Sequence, residues 1–280
     1  MDELAAKHVL FDFEIISLLA LAVGVVVYAI WGRVGNREEI PTRGDFDRFD
    51  LILVFLPAAL FLINPILQLM TGDVAQEKQE THAGTDLFGI VLNLFYFGFI
   101  GVLTFGILAW VRGRSLVRIF GLKRRSLPMI VITSILAGIV SILVCALLIG
   151  NASQLFLESL FGELDLQEAV QSMKNTESPI HLVAAIVMAC VAAPLVEELL
   201  FRGYMYESIK AATSPIFAAV IVGALFAVVH CNLPALLPLW SFSILLTVLY
   251  ELSGCLWVSI GTHAFFNAVN IVLMLQPQSG

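Results

Sequence analysis

Val191-AAPLVEELLFRG-Tyr204 sets two adjacent carboxylates, Glu197 and Glu198, and a guanidinium, Arg202, inside a run of apolar residues. Ionisable groups within a membrane span are costly enough to be functional candidates by default. Three of them in one turn and a half strengthen that inference. The membrane itself follows from composition. Hydrophobic residues make up 59% of the 280 and charged residues 13%, against about 45–50% and about 25% in a soluble domain. The chain is therefore read as an all-α, polytopic membrane protein forming a single membrane domain.

Apolar runs of about 20 residues cross a bilayer as helices. Eight such runs are expected, near 9–31, 50–71, 87–111, 128–149, 180–210, 214–231, 233–251 and 254–276. Only Asn232 and Leu233 stand between Cys231 and Pro234, so the sixth and seventh spans join through a tight hairpin or a partly re-entrant element. Arg and Lys are retained on the cytoplasmic side in short loops. Arg33, Arg37, Arg43, Arg48, Arg112, Arg114, Arg118, Lys123, Arg124, Arg125, Arg202 and Lys210 fall on one side, against Lys7, Lys78 and Lys174 on the other. Both termini are thus expected outside, the basic loops in the cytoplasm, and the acidic stretch 158–177 on the outer side.

The first residues lack the basic region of a cleavable signal peptide, so the first span is expected to stay. Cys145, Cys190, Cys231 and Cys255 show no metal-binding spacing and are expected as free thiols. The basic segment Arg112–Arg125 reads as an ordinary cytoplasmic loop, with a surface-lying amphipathic segment as the second option. Leu155, Phe156, Leu160 and Phe161 beside acids suggest a short interfacial helix.

Helical geometry sorts the polar groups. Glu198 and Arg202 are four apart and share a face, so they can pair. Glu197 is turned about 100° away and has no cation in its own helix. A carboxylate without a cation in a low-dielectric site holds protons more tightly, which suits a general base. Two other helices carry matching rows, Phe226 with His230 and His263 with Asn267, and Asn270 continues the second. Together they offer an acid, two imidazoles and a carboxamide. Glu197 with one histidine can deprotonate water, and the other histidine with an asparagine can donate to an oxyanion. At about 1.5 Å per residue, Glu197 lies about 20 Å from its cytoplasmic helix end, His263 about 14 Å and His230 about 24 Å. All three are expected within the membrane rather than in loops.

Each feature alone has an ordinary explanation. His181 reads as interfacial, and His8 and His82 as solvated. A Glu/Arg pair can simply lock helices together, and an intramembrane Asn often joins neighbouring helices. The weight comes from all of them falling between Glu197 and Asn270 on adjacent helices.

At these residues the chain resembles the CPBP family of CAAX proteases and bacteriocin-processing enzymes. The family's motifs EExxxR, FxxxH and HxxxN read here as Glu197-Glu198-LLF-Arg202, Phe226-AVV-His230 and His263-AFF-Asn267. The match covers about 180–271, and the flanking Phe201-Arg202-Gly203-Tyr204 fits the usual continuation. The resemblance implies an intramembrane glutamic-type endopeptidase. It assigns Glu197 as the water-activating carboxylate, His230 as its partner, His263 and Asn267 as the oxyanion pair, and Glu198 with Arg202 as supporting residues.

No HExxH, GxSG or GxGD motif supports the other intramembrane protease classes. Two histidines and a glutamate can bind zinc, but the resemblance implies a glutamate-activated water and no metal. The expected partners are the lipid bilayer and a membrane-associated peptide or protein, prenylated CAAX-type or leader-bearing, and no nucleic acid. The expected location is a prokaryotic plasma membrane. Two rivals stay open: a non-catalytic immunity or regulatory protein that binds a partner on the same scaffold, and a proton-coupled transporter, which the lack of an internal repeat disfavours.

Overall fold

A computed structural model describes residues 46–71, 87–161, 178–230 and 232–275, and every regular element among them is a helix. Helix α1 (Arg48–Leu53) is followed by α2 (Phe55–Thr71) and α3 (Leu87–Gly106), which continues through wide π-helical turns at Ile107–Val111. A short α4 (Leu116–Ile119) lies in the next loop. Helix α5 (Leu127–Ser141) runs through wide turns Ile142–Gly150 into α6 (Asn151–Phe161). The glutamate segment is one long run: α7 (Pro179–Val187), wide turns Met188–Ala192, α8 (Ala193–Leu200), wide turns Phe201–Tyr206 and α9 (Glu207–Ala212). Then come α10 (Pro215–Val228), α11 (Leu236–Ser253) and α12 (Leu256–Leu275).

Five of these runs are long and apolar enough to cross a membrane: Gly89–Val111, Leu127–Leu160, Pro179–Ala212, Leu236–Ser253 and Leu256–Leu275. The expected first span, 9–31, lies outside the described residues. The expected second span is interrupted at Val54, where α1 ends. The sixth is shorter than expected: α10 has 14 residues and stops at Val228. The expected interfacial helix after residue 150 is, through Phe161, a direct continuation of α5 rather than a separate element. No free-standing amphipathic helix forms at 112–125. That loop folds back instead, burying Ile119 and Phe120.

Close helix approach depends on small residues. A Cβ on Gly138 would stand 2.3 Å from the Phe265 ring, and one on Gly261 would stand 2.5 Å from Ser134 Oγ, so α5 and α12 meet almost backbone to backbone. Gly223 does the same for α10 against Trp240 of α11, whose indole N–H donates to the Val220 carbonyl at 3.1 Å. Small residues at helix contacts are expected where lipid supplies no hydrophobic drive between helices. The aromatic side chains Phe97, Phe61, Phe201 and Phe226 follow one another edge to face from α3 through α2 and the glutamate helix to α10.

The charged segments gather at one end of the bundle. Asp47 caps α1, accepting from the N–H groups of Phe49 and Asp50 at 2.9 and 3.2 Å, and Asp50 answers by accepting from Asp47 N–H at 2.9 Å. This reciprocal cap also receives Arg112, which donates to both Asp47 and the fully buried Asp50, while Arg114 donates to Asp50. Lys210 pairs there with Glu251. Leu256 N–H donates to the Phe120 carbonyl at 2.9 Å, and Arg125 donates to the Ser253 carbonyl at 2.8 Å. The loop can lie this close because Gly121 and Gly254 adopt φ of 60° and 68°, a region open to glycine at no steric cost.

This end of the molecule generates two predictions. Gly113→Ala adds only left-handed strain, about 1–2 kcal/mol, because its new Cβ meets open space. Gly121→Ala also drives a Cβ to 1.8 Å from the Gly254 carbonyl oxygen, so its melting midpoint in detergent should fall clearly further. The second concerns pH. Burial disfavours the Asp47 carboxylate, but the Asp50 N–H, the Arg112 guanidinium and the Phe49 N–H outweigh it and hold the group below the usual carboxylate range. A lowered folded-state value stabilises above the ordinary pKa of about 4, and that stability is lost as pH falls through the folded value. Wild type and Asp47→Asn should therefore differ in midpoint at neutral pH and converge in acid.

Candidate active site

Glu198 is the centre of the polar cluster. It is fully buried, as is Arg202, and the two pair at 2.8 Å within the helix, as their spacing requires. The same oxygen, Oε1, accepts from Nδ1–H of His263 at 2.9 Å. Arg202 also donates from Nη2 to the Ser243 hydroxyl at 2.6 Å and to the Ser243 carbonyl at 3.0 Å. One carboxylate thus links the glutamate helix to α12 directly and to α11 through the arginine. Its face is completed by Phe226, whose ring lies 4.8 Å from the guanidinium. That position allows a cation–π contact.

Glu197 differs from its neighbour. It is 6% exposed, and its Oε2 makes no hydrogen bond within the protein. The nearest basic atom is Nε2 of His263, 3.8 Å away. Because Glu198 fixes the proton on Nδ1, Nε2 is the nitrogen that faces Glu197. His263 therefore stands between the two carboxylates, whereas helical spacing alone puts Glu198 and Arg202 in a pair of their own.

His230 is not inside a helix. It follows α10 in the turn that begins at Val229, half-buried, which corrects the expectation that no member of the set lies in a loop. Its Nδ1–H donates to the Phe226 carbonyl at 2.7 Å. A carbonyl can only accept, so the neutral ring carries its lone pair on Nε2. Phe226 packs against both imidazoles, with ring centroids 4.9 Å from His230 and 5.6 Å from His263. The Phe of the FxxxH pattern thus touches Arg202 and both histidines at once.

Asn267 lies one turn beyond His263 and donates from Nδ2 to the Ala189 carbonyl at 2.8 Å. Asn270 bonds within its own helix, to the Phe266 carbonyl. Ser243 escapes the sequence reading altogether, although Ser243 and Thr247 form a polar i,i+4 row in the middle of a largely apolar helix, which is the available signal. Beside the cluster, Ala58, Phe61, Leu200, Phe201, Met205 and Val229 line a small apolar crevice that contains none of the ionisable groups.

A buried charge deprived of its partner is strongly destabilising, by about 3–5 kcal/mol. Arg202→Met should lower stability by that order in chemical denaturation. Arg202→Met combined with Glu198→Gln should recover most of the loss, and Ser243→Ala, which removes one charge-assisted hydrogen bond, should cost about 1.5–3 kcal/mol.

Residues 179–269 match the family model of Rce1-like proteins, the type II CAAX prenyl endopeptidases, so the resemblance read from the three motifs holds over this segment. A protein of Bacillus subtilis (strain 168) named "Putative membrane peptidase YdiL" is 26% identical over 108 residues, 37% of this chain. The chain spans 44% of that relative's length. No solved structure matches.

Proposed function

From the Rce1-like signature and the geometry beneath it, we propose that this membrane protein is an intramembrane endopeptidase that hydrolyses a peptide bond with a water activated by Glu197. The observation that carries this reading is the asymmetry of the two glutamates. Each has a buried Oε2 without a hydrogen bond, but Glu198 is held through Oε1 by both Arg202 and His263, whereas Glu197 has only the basic nitrogen of His263 beside it, at 3.8 Å. Two carboxylates and one guanidinium leave one negative charge in the cluster. A single proton, on Glu197 or His263, neutralises it, so accepting a proton from water is a natural step for this pair.

In this mechanism Glu197 takes a proton from water and the resulting hydroxide attacks the peptide carbonyl. The electrons move onto the carbonyl oxygen, and the proton passes to the leaving nitrogen as the C–N bond breaks. His230, with Nε2 as its basic nitrogen, is a second proton acceptor at the rim. While the proton taken from water rests on Nε2 of His263, that imidazolium and the amide of Asn267 are donors for the oxyanion. The structure favours His263 over His230 as the direct neighbour of Glu197, a shift from the pairing the family resemblance implies. The substrate is a membrane-associated peptide or protein, with a prenylated CAAX-type peptide as the first choice given the family description. We assign the charged end of the bundle to the cytoplasm, following the positive-inside bias.

Purified protein in liposomes should cleave a member of a panel of prenylated CAAX-type and leader peptides. Glu197→Gln should lower kcat by at least about 10²-fold, His230→Ala by less, and chelator should change nothing. Full activity in Glu197→Gln would sink the carboxylate route. A substrate bound and recovered intact by the wild type would favour a sequestering protein instead.

A further inference from the structure

Pro194 sits inside the glutamate helix, buried, three residues before Glu197. The helix is widened just before it, at Met188–Ala192, and there the N–H of Ala193 reaches back five residues to the Met188 carbonyl. In that register the next donor, at position 194, would serve the Ala189 carbonyl. Proline has no N–H to give. The Ala189 oxygen is the acceptor that Asn267 takes from the neighbouring helix at 2.8 Å. The missing donor in one helix and the side chain from the other coincide on a single atom.

We propose that Pro194 is a positioning residue, which frees the Ala189 carbonyl so that Asn267 is latched to the glutamate helix in a fixed orientation. A carboxamide has two N–H donors. Committing one to Ala189 fixes the plane of the amide and hence the direction of the other, beside His263 on the same helix. The latch also ties α12 to the wide turns about two helical turns ahead of Glu197, which helps the carboxylate and the His263 imidazole keep their spacing. The asparagine's catalytic use rests on the peptidase reading; the latch itself does not.

The test combines Pro194→Ala, Asn267→Ala and the double variant in the full-length protein, with unfolding midpoint and peptidase kinetics as readouts. Replacing the proline by alanine restores the missing N–H, which then satisfies the Ala189 carbonyl from within the helix. Asn267→Ala should therefore lower the midpoint in the wild-type background and change it little in the Pro194→Ala background, the coupling expected when two donors exchange on one carbonyl. Asn267→Asp, which keeps the size but lacks the donor, should behave like Asn267→Ala. Pro194→Ala should leave the midpoint unchanged or raised, since proline is unfavourable inside a helix. Its kcat should nevertheless fall about tenfold or more while KM stays within about twofold, the mark of lost orientation in the transition state. Equal costs of Asn267→Ala in both backgrounds would overturn the latch, and undiminished kcat in Pro194→Ala would overturn the positioning role. If wild type cleaves none of the panel, the peptidase reading fails and the stability cycle alone decides the latch.

Discussion

A guanidinium and a carboxylate buried together in a membrane bundle must satisfy each other, and the positions of the surrounding helices follow from how they do so. Arg202 and Glu198 are both fully buried, so neither can turn to water without opening the structure. Their pairing leaves further donors and acceptors, and these recruit Ser243 from α11 and His263 from α12. Each recruited helix brings other chemistry with it. Because His263 arrives with its Nδ1 committed, the nitrogen left over is the one beside Glu197. The surroundings of Glu197 are thus defined by what its neighbour has already used.

Shape constraints act in the same direction. Gly138, Gly223 and Gly261 let α5, α10, α11 and α12 approach until side chains on one touch the backbone of another, which brings polar groups from separate helices within hydrogen-bond reach. Phe226 fills the space among Arg202, His230 and His263. It supplies a rigid surface against which both imidazoles and the guanidinium rest. At the charged end, the loop from Arg112 to Arg125 is stitched to α1 through Asp50 and to the α11–α12 turn through Arg125.

Much of this is legible in the sequence because it is local. The i,i+4 pairing of Glu198 with Arg202 needs only the helical period, and the long spans need only apolar length. The partner of His263 is not legible, since it depends on the rotation of α12 against the glutamate helix. The same holds for Ser243, whose hydroxyl matters only because α11 presents it to Arg202. Apolar residues continue to the very edge of His230 and so suggest a helix there, but backbone geometry ends α10 at Val228. Asn267 reads equally as a donor to an oxyanion or an interhelical link. The proline that gives the link its acceptor is easily passed over, because proline in a helix usually signals only a kink.

The length of α10 bears on how water meets the carboxylates. Its 14 residues make about 21 Å of helix, while the hydrocarbon layer is about 30 Å thick. Where lipid meets so short a wall, thinning of the bilayer toward it is one way in which hydrophobic mismatch is relieved. Such thinning would set the turn carrying His230 at the floor of a depression in the lipid surface. Hydration of a site within the membrane is in this view a property of the lipid–protein boundary, set by where one helix stops.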